Sequence, residues 1–160
     1  MSALRLGLER PWWRHVPRGV PEAPVSLQGI EQWLDNQDDL SLVWVPEPYR
    51  GSARYIWDAE QRHGYILVAA ALEGRPRECK WVLAHEAGHP RYGVRSLGVM
   101  PYEQTVLSGR QECQATRFAT GLLVPRHLVE WPLDVTYVAD LCGVEEHVVR
   151  KAAHMRAQGY

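Results

Sequence analysis

Residues 78–89, Glu-Cys-Lys-Trp-Val-Leu-Ala-His-Glu-Ala-Gly-His, constrain the fold of this chain more than any other stretch. Nothing in the run breaks a helix, and Trp81, Val82, Leu83 and Ala84 make it apolar nearly all the way round. The sequence therefore predicts a buried helix from Glu78 to about His89. Pro76 suits its first turn, and Glu78 is favourable near its N-terminus. The same helix carries His85, Glu86 and His89, and buried imidazoles and carboxylates need partners. Residues four apart lie on one face about 6 Å apart, so both histidines can aim a ring nitrogen at one zinc ion. Glu86 stands beside them, placed to take a proton from a water held there.

A catalytic zinc site keeps three protein ligands and one open position. Tyr92 and Arg95 stand where a metzincin would need Gly and His, so the third ligand must come from elsewhere. The sequence predicts a second strong helix over residues 108–123. Ser108 and Gln111 form a capping box, Ala115, Phe118, Ala119, Leu122 and Leu123 form an apolar stripe, and Pro125 ends the run. Glu112, three residues before Ala115, falls on that inward stripe and fits a gluzincin-type third ligand best. Glu103 and Glu130 fit less well, beside proline-containing breaks, as does His127 just past Pro125. Cys113 points about 100° away from Glu112 on an ideal helix and is assigned to packing.

The rest of the chain frames these two helices. Residues 1–25 hold four of the 11 prolines with Trp12, Trp13 and four arginines, and are read as an N-terminal arm. Residues 26–160 form one domain, beginning with a short amphipathic helix over about 27–36 capped by Ser26. Leu40–Val45 is a strand, and Ala53–Trp57 with Gly64–Ala70 form a hairpin. Asp134 caps a helix reaching Cys142, Gly143 fits the position after its end, and a last helix covers about 145–157. The fold class expected is α+β: a small mixed or antiparallel sheet packed on a helical core that contains the HExxH helix and ends in a helical hairpin.

A net charge of −1 implies no broad basic surface for nucleic acid, and the lack of any long apolar run argues against a membrane span. Three widely spaced cysteines point to reduced thiols and a cytoplasmic protein. Residues 134–157 have helix-turn-helix spacing, yet Glu145 and Glu146 would face the duplex, so direct DNA contact is not expected. Arg150, Lys151, His154 and Arg156 are read as a solvated face.

The segment Trp81-Val-Leu-Ala-His-Glu-Ala-Gly-His89, followed by Glu112-Cys-Gln-Ala-Thr-Arg-Phe-Ala-Thr-Gly-Leu-Leu-Val-Pro125, resembles the paired motifs of the ImmA/IrrE family of metallopeptidases. The likeness covers about residues 40–155. It implies that His85, His89 and Glu112 bind zinc and that Glu86 is the catalytic base. It also implies a protein substrate, typically a helix-turn-helix repressor cut in a stress response or to release genes of a mobile element. Thr116 stands where the family has an asparagine that supports a ligand imidazole, and Pro90 directly follows the second histidine. Tyr92, Tyr102 and His127 are alternative stabilisers of the tetrahedral intermediate. Two other functions stay open: a zinc-containing regulator that binds a repressor or other partner without cutting it, and, last, a small DNA-binding module.

Overall fold

The computed structural model describes residues 19–46, 52–58, 60–89, 103–130 and 132–159. Most of the arm, with Trp12 and Trp13, lies outside these residues, as do Pro90, Tyr92, Arg95 and Tyr102. The arm's last residue, Val25, is buried in the core, so the body of the protein begins slightly earlier than the sequence indicated.

Helix α1 (Leu27–Asp35) starts where the Ser26 hydroxyl accepts the Gly29 N–H at 2.9 Å, and it buries Ile30, Trp33 and Leu34. Strands β1 (Leu40–Val45), β2 (Ala53–Asp58) and β3 (His63–Ala69) form one sheet in the order β1-β3-β2. The β2–β3 hairpin is antiparallel, whereas β1 runs parallel to β3, so the sheet is mixed. Along β3, Gly64, Ile66 and Val68 are buried and their neighbours only half so, the alternation of a sheet with one face on the helices.

A 3₁₀ turn (Ala70–Leu72) leads into α2 (Pro76–Ala87), which buries Cys79, Lys80, Leu83, Ala84 and Ala87. Its helical hydrogen bonding stops at Ala87, two residues short of expectation; His89 lies in a tight turn whose N–H reaches the Glu86 carbonyl at 3.2 Å. Helix α3 (Glu103–Leu123) is longer than expected. The stretch Glu103-Gln-Thr-Val-Leu contains no glycine or proline, so the helix starts at Glu103 and Ser108 lies inside it. The helix therefore does not begin at Ser108, as the capping-box pattern indicated.

After a second 3₁₀ turn (Arg126–Val129), α4 (Val135–Cys142) is capped by Asp134, whose carboxylate accepts the Tyr137 N–H at 3.0 Å. Gly143 closes α4 in the left-handed region at φ +61°, where a side chain would be strained. Helix α5 (Glu146–Ala157) buries Val148, Val149 and Ala152 against the rest. The Lys80 side chain, 6 % exposed, donates from its ammonium to the Cys142 carbonyl at the end of α4, and Arg77 pairs with Asp140 at 2.9 Å. These bonds fix the C-terminal pair to α2, and burial lowers the Lys80 pKa. Arg156 departs from the expected solvated face, being half-buried and paired with Glu130 at 2.8 Å.

The fold is thus α+β: a three-stranded mixed sheet and, among the described residues, five α-helices around a core that includes Ile30, Leu34, Ile66, Leu83, Leu123 and Val148. No helix among the described residues is long and apolar enough to cross a membrane.

Candidate metal centre

Helices α2 and α3 meet at Gly88. A Cβ there would lie 2.9 Å from the Ala115 Cα and carbonyl oxygen and 2.9 Å from the Phe118 Cβ. Only a residue without a side chain lets the end of α2 press this closely on the α3 backbone. Glu112, one turn before Ala115 on α3, is thereby brought to the two histidines.

His85 Nε2 lies 3.0 Å from Glu112 Oε2, and His89 Nε2 lies 3.4 Å from Glu112 Oε1. The two imidazoles meet edge to face, with centroids 5.1 Å apart. Ligand atoms held tetrahedrally at about 2.1 Å from a zinc ion stand about 3.4 Å from one another, so the nitrogen–oxygen spacing suits a shared ion. His85, Glu86 and His89 also place one potential ligand atom each within 4.8 Å of the others. This group can hold a metal ion. Two carboxylates therefore border the pair of imidazoles, in different surroundings.

Glu86 is 13 % exposed, and its Oε2 accepts the Tyr55 N–H of β2 at 2.7 Å while standing 3.8 Å from His89 Nε2. Burial pushes its pKa up to about 7, against the Tyr55 hydrogen bond, with the negative charge of Glu112 adding to the rise. Burial also lowers the His89 pKa, opposed by the Glu112 carboxylate and reinforced by His85. Glu112 is 60 % exposed, not turned into the core as the stripe suggested; its carboxylate sits at the mouth of the site.

Aromatic rings flank both imidazoles. The Trp81 ring, one turn before His85, is 5.6 Å from the His85 ring and meets the His147 ring of α5 in a T-shaped contact at 5.8 Å. Tyr55 stacks on His89 at 6.4 Å. His85 Nδ1 is buried and has no hydrogen-bond partner. Thr116, half-buried on α3, therefore makes no hydrogen bond to that nitrogen.

Of the remaining candidates, only His127, Glu130 and Glu103 fall within the described residues. His127 is exposed in the 3₁₀ turn that follows α3, whose last residue, Leu123, lies about 16 Å along the helix from Glu112. Glu130 is engaged by Arg156. Glu103 opens α3, nine residues before Glu112, and Tyr92 and Tyr102 lie outside the described residues. Cys113 is exposed rather than packed, whereas Cys79 and Cys142 are buried.

Three contributors escaped the sequence reading: Gly88, Tyr55 and the Trp81–His147 wall. Gly88 was visible in the motif but its reason, a backbone contact across two helices, is tertiary. Tyr55 acts through its backbone N–H, which no side-chain pattern reveals.

The burial of Glu86 has a measurable consequence in the metal-free protein. Its folded pKa of about 7 lies above its ordinary value of 4.5, so the folded state holds the proton more tightly than the unfolded chain does. The penalty is absent below the ordinary value and grows as pH rises through the folded pKa, to about 3 kcal/mol. Metal-free Glu86→Gln is therefore expected to exceed wild type in stability by about 2–3 kcal/mol at pH 8 and to match it near pH 4. Urea unfolding at both pH values decides this, and a pH-independent gap would refute the desolvation of Glu86.

No protein-family model matches the chain, and no curated protein matches it.

Proposed function

We propose that this chain is a zinc-dependent endopeptidase of the ImmA/IrrE kind that cleaves a protein substrate, with a helix-turn-helix transcriptional repressor as the substrate class. The observation that carries the reading is the division of labour between the two carboxylates. Glu112 offers one oxygen to each imidazole from the exposed mouth of the site, while Glu86 is buried and has its Oε2 bonded by the Tyr55 N–H. His85, His89 and Glu112 would hold the zinc, leaving the fourth position open. A zinc ion bound there supplies Lewis acidity, lowering the pKa of water and polarising a substrate carbonyl.

Glu86 does the proton work. Its buried carboxylate accepts a proton from the attacking water and returns it to the departing amine. The Tyr55 N–H fixes Oε2, the oxygen that stands 3.8 Å from His89 Nε2, and so orients the carboxylate toward the imidazoles. Trp81 and Tyr55 limit how far the ligand imidazoles can turn. Tyr92, Tyr102 and His127 are the candidates to stabilise the oxyanion.

The lack of support for His85 Nδ1 favours a second reading, a zinc-containing regulator that binds its partner without cutting it. DNA binding through α5 is disfavoured, because Glu145 and Glu146 are exposed at its N-terminus and Arg150 is paired with Glu146 at 2.9 Å. Mapping of new protein N-termini in cells expressing wild type or Glu86→Gln separates the first two. Protease action requires termini that appear with wild type alone. A regulatory effect retained by Glu86→Gln, with no new termini in either case, would establish the non-cutting regulator.

A further inference from the structure

A ligand histidine is ordinarily held in place by a hydrogen bond to the ring nitrogen that does not bind the metal. His85 lacks that support. Its Nε2 stands 3.0 Å from Glu112 Oε2, but its Nδ1 is buried without a hydrogen-bond partner. What limits rotation of the ring is packing, and two aromatic neighbours supply it: His89, edge to face at 5.1 Å, and Trp81, at 5.6 Å with the planes 42° apart.

Trp81 in turn contacts His147 of α5, with ring centroids 5.8 Å apart and planes at 85°. The start of α5 is tied to the part of α2 that carries Trp81. Arg77 donates to the Val144 carbonyl at 3.4 Å and to Asp140 at 2.9 Å, and the Lys80 ammonium donates to the Cys142 carbonyl. His147 is therefore brought to the indole by a fixed backbone. Its own side chain is exposed and makes no hydrogen bond or ion pair with a described residue, so removing the ring leaves no buried polar group behind.

We infer that His147 is a positioning residue for the metal centre, holding the Trp81 indole and, through it, the His85 imidazole in the orientation that meets the metal. The inference rests on the proposed assignment of His85, His89 and Glu112 as ligands. It makes metal affinity a property of the C-terminal helix pair as well as of α2 and α3.

Zinc affinity of the full chain, measured by chelator competition, tests the path from α5 to the metal. His147→Ala is expected to weaken zinc about three- to tenfold, and His147→Phe, which keeps a ring, should recover most of that loss. Trp81→Leu should weaken zinc about tenfold, and adding His147→Ala to it should cost nothing more, because the coupling runs through the indole. The visible spectrum of the cobalt(II)-loaded protein should also change in His147→Ala, while the urea midpoint of the metal-free protein moves little. If Trp81→Leu fails to fold, the comparison of His147→Ala with His147→Phe decides. Wild-type zinc affinity in His147→Ala, an equal loss in His147→Phe, or additive losses in the double variant would overturn the inference and leave the ligand assignment standing. Absence of zinc binding in wild type would overturn the ligand assignment, and this inference with it.

Discussion

Gly88→Ala is expected to destabilise the protein by about 2–4 kcal/mol and to weaken metal binding in the fraction that folds. The added methyl would stand 2.9 Å from two backbone atoms of Ala115, which cannot swing aside as the tip of a flexible side chain would. Relief requires α2 and α3 to separate, and that separation draws Glu112 away from His85 and His89. The loss is not a matter of backbone conformation, since Gly88 has φ −81° and ψ −9°, a geometry open to any residue. Gly109→Ala provides the control. Gly109 lies inside α3 with no heavy atom within 4 Å of an added Cβ, so alanine there should stabilise by about 0.5–1 kcal/mol. Urea denaturation of the two variants, with zinc affinity measured by chelator competition, tests both halves. Equal stability of Gly88→Ala and wild type would show that the helix crossing is looser than described.

Glu86→Gln is expected to retain the metal and to lose at least about 10³-fold in peptide hydrolysis. Glutamine has nearly the same shape, and its amide oxygen can still accept the Tyr55 N–H, so the local structure should persist. What disappears is the basic oxygen. Loss of a positioned general base alone costs about 10²–10⁴, and here the same group also returns the proton to the amine. Residual activity within tenfold of wild type would mean that another group moves the proton. Glu112→Ala should differ in kind, losing activity because the metal itself is lost.

The sequence made the helices and their chemistry legible where local pattern decides. The Ser26 and Asp134 caps, the Gly143 terminus and the β2–β3 hairpin all appear where side-chain chemistry calls for them. The start of α3 was misplaced because Ser108 and Gln111 can cap a helix but need not, and the five residues before Ser108 propagate one equally well. The parallel pairing of β1 with β3 is a tertiary choice that strand patterns do not encode. At the site, spacing alone brought His85, Glu86 and His89 into one group, because four residues of helix or tight turn return to the same face. The proximity of Glu112 followed from the apolar stripe of α3, although its exposure did not. The roles of Gly88, Tyr55 and Lys80 rest on backbone contacts between distant segments and leave no periodic trace.

Metal content tests the central claim most directly. Elemental analysis of wild type, Glu86→Gln and Glu112→Ala, each purified after zinc loading and removal of excess metal, separates the ligand carboxylate from the base. One zinc per chain in wild type and in Glu86→Gln, with loss in Glu112→Ala, is the expected result. No zinc in wild type, or full zinc in Glu112→Ala beside loss in Glu86→Gln, would contradict the assignment of the two carboxylates and the peptidase reading built on it.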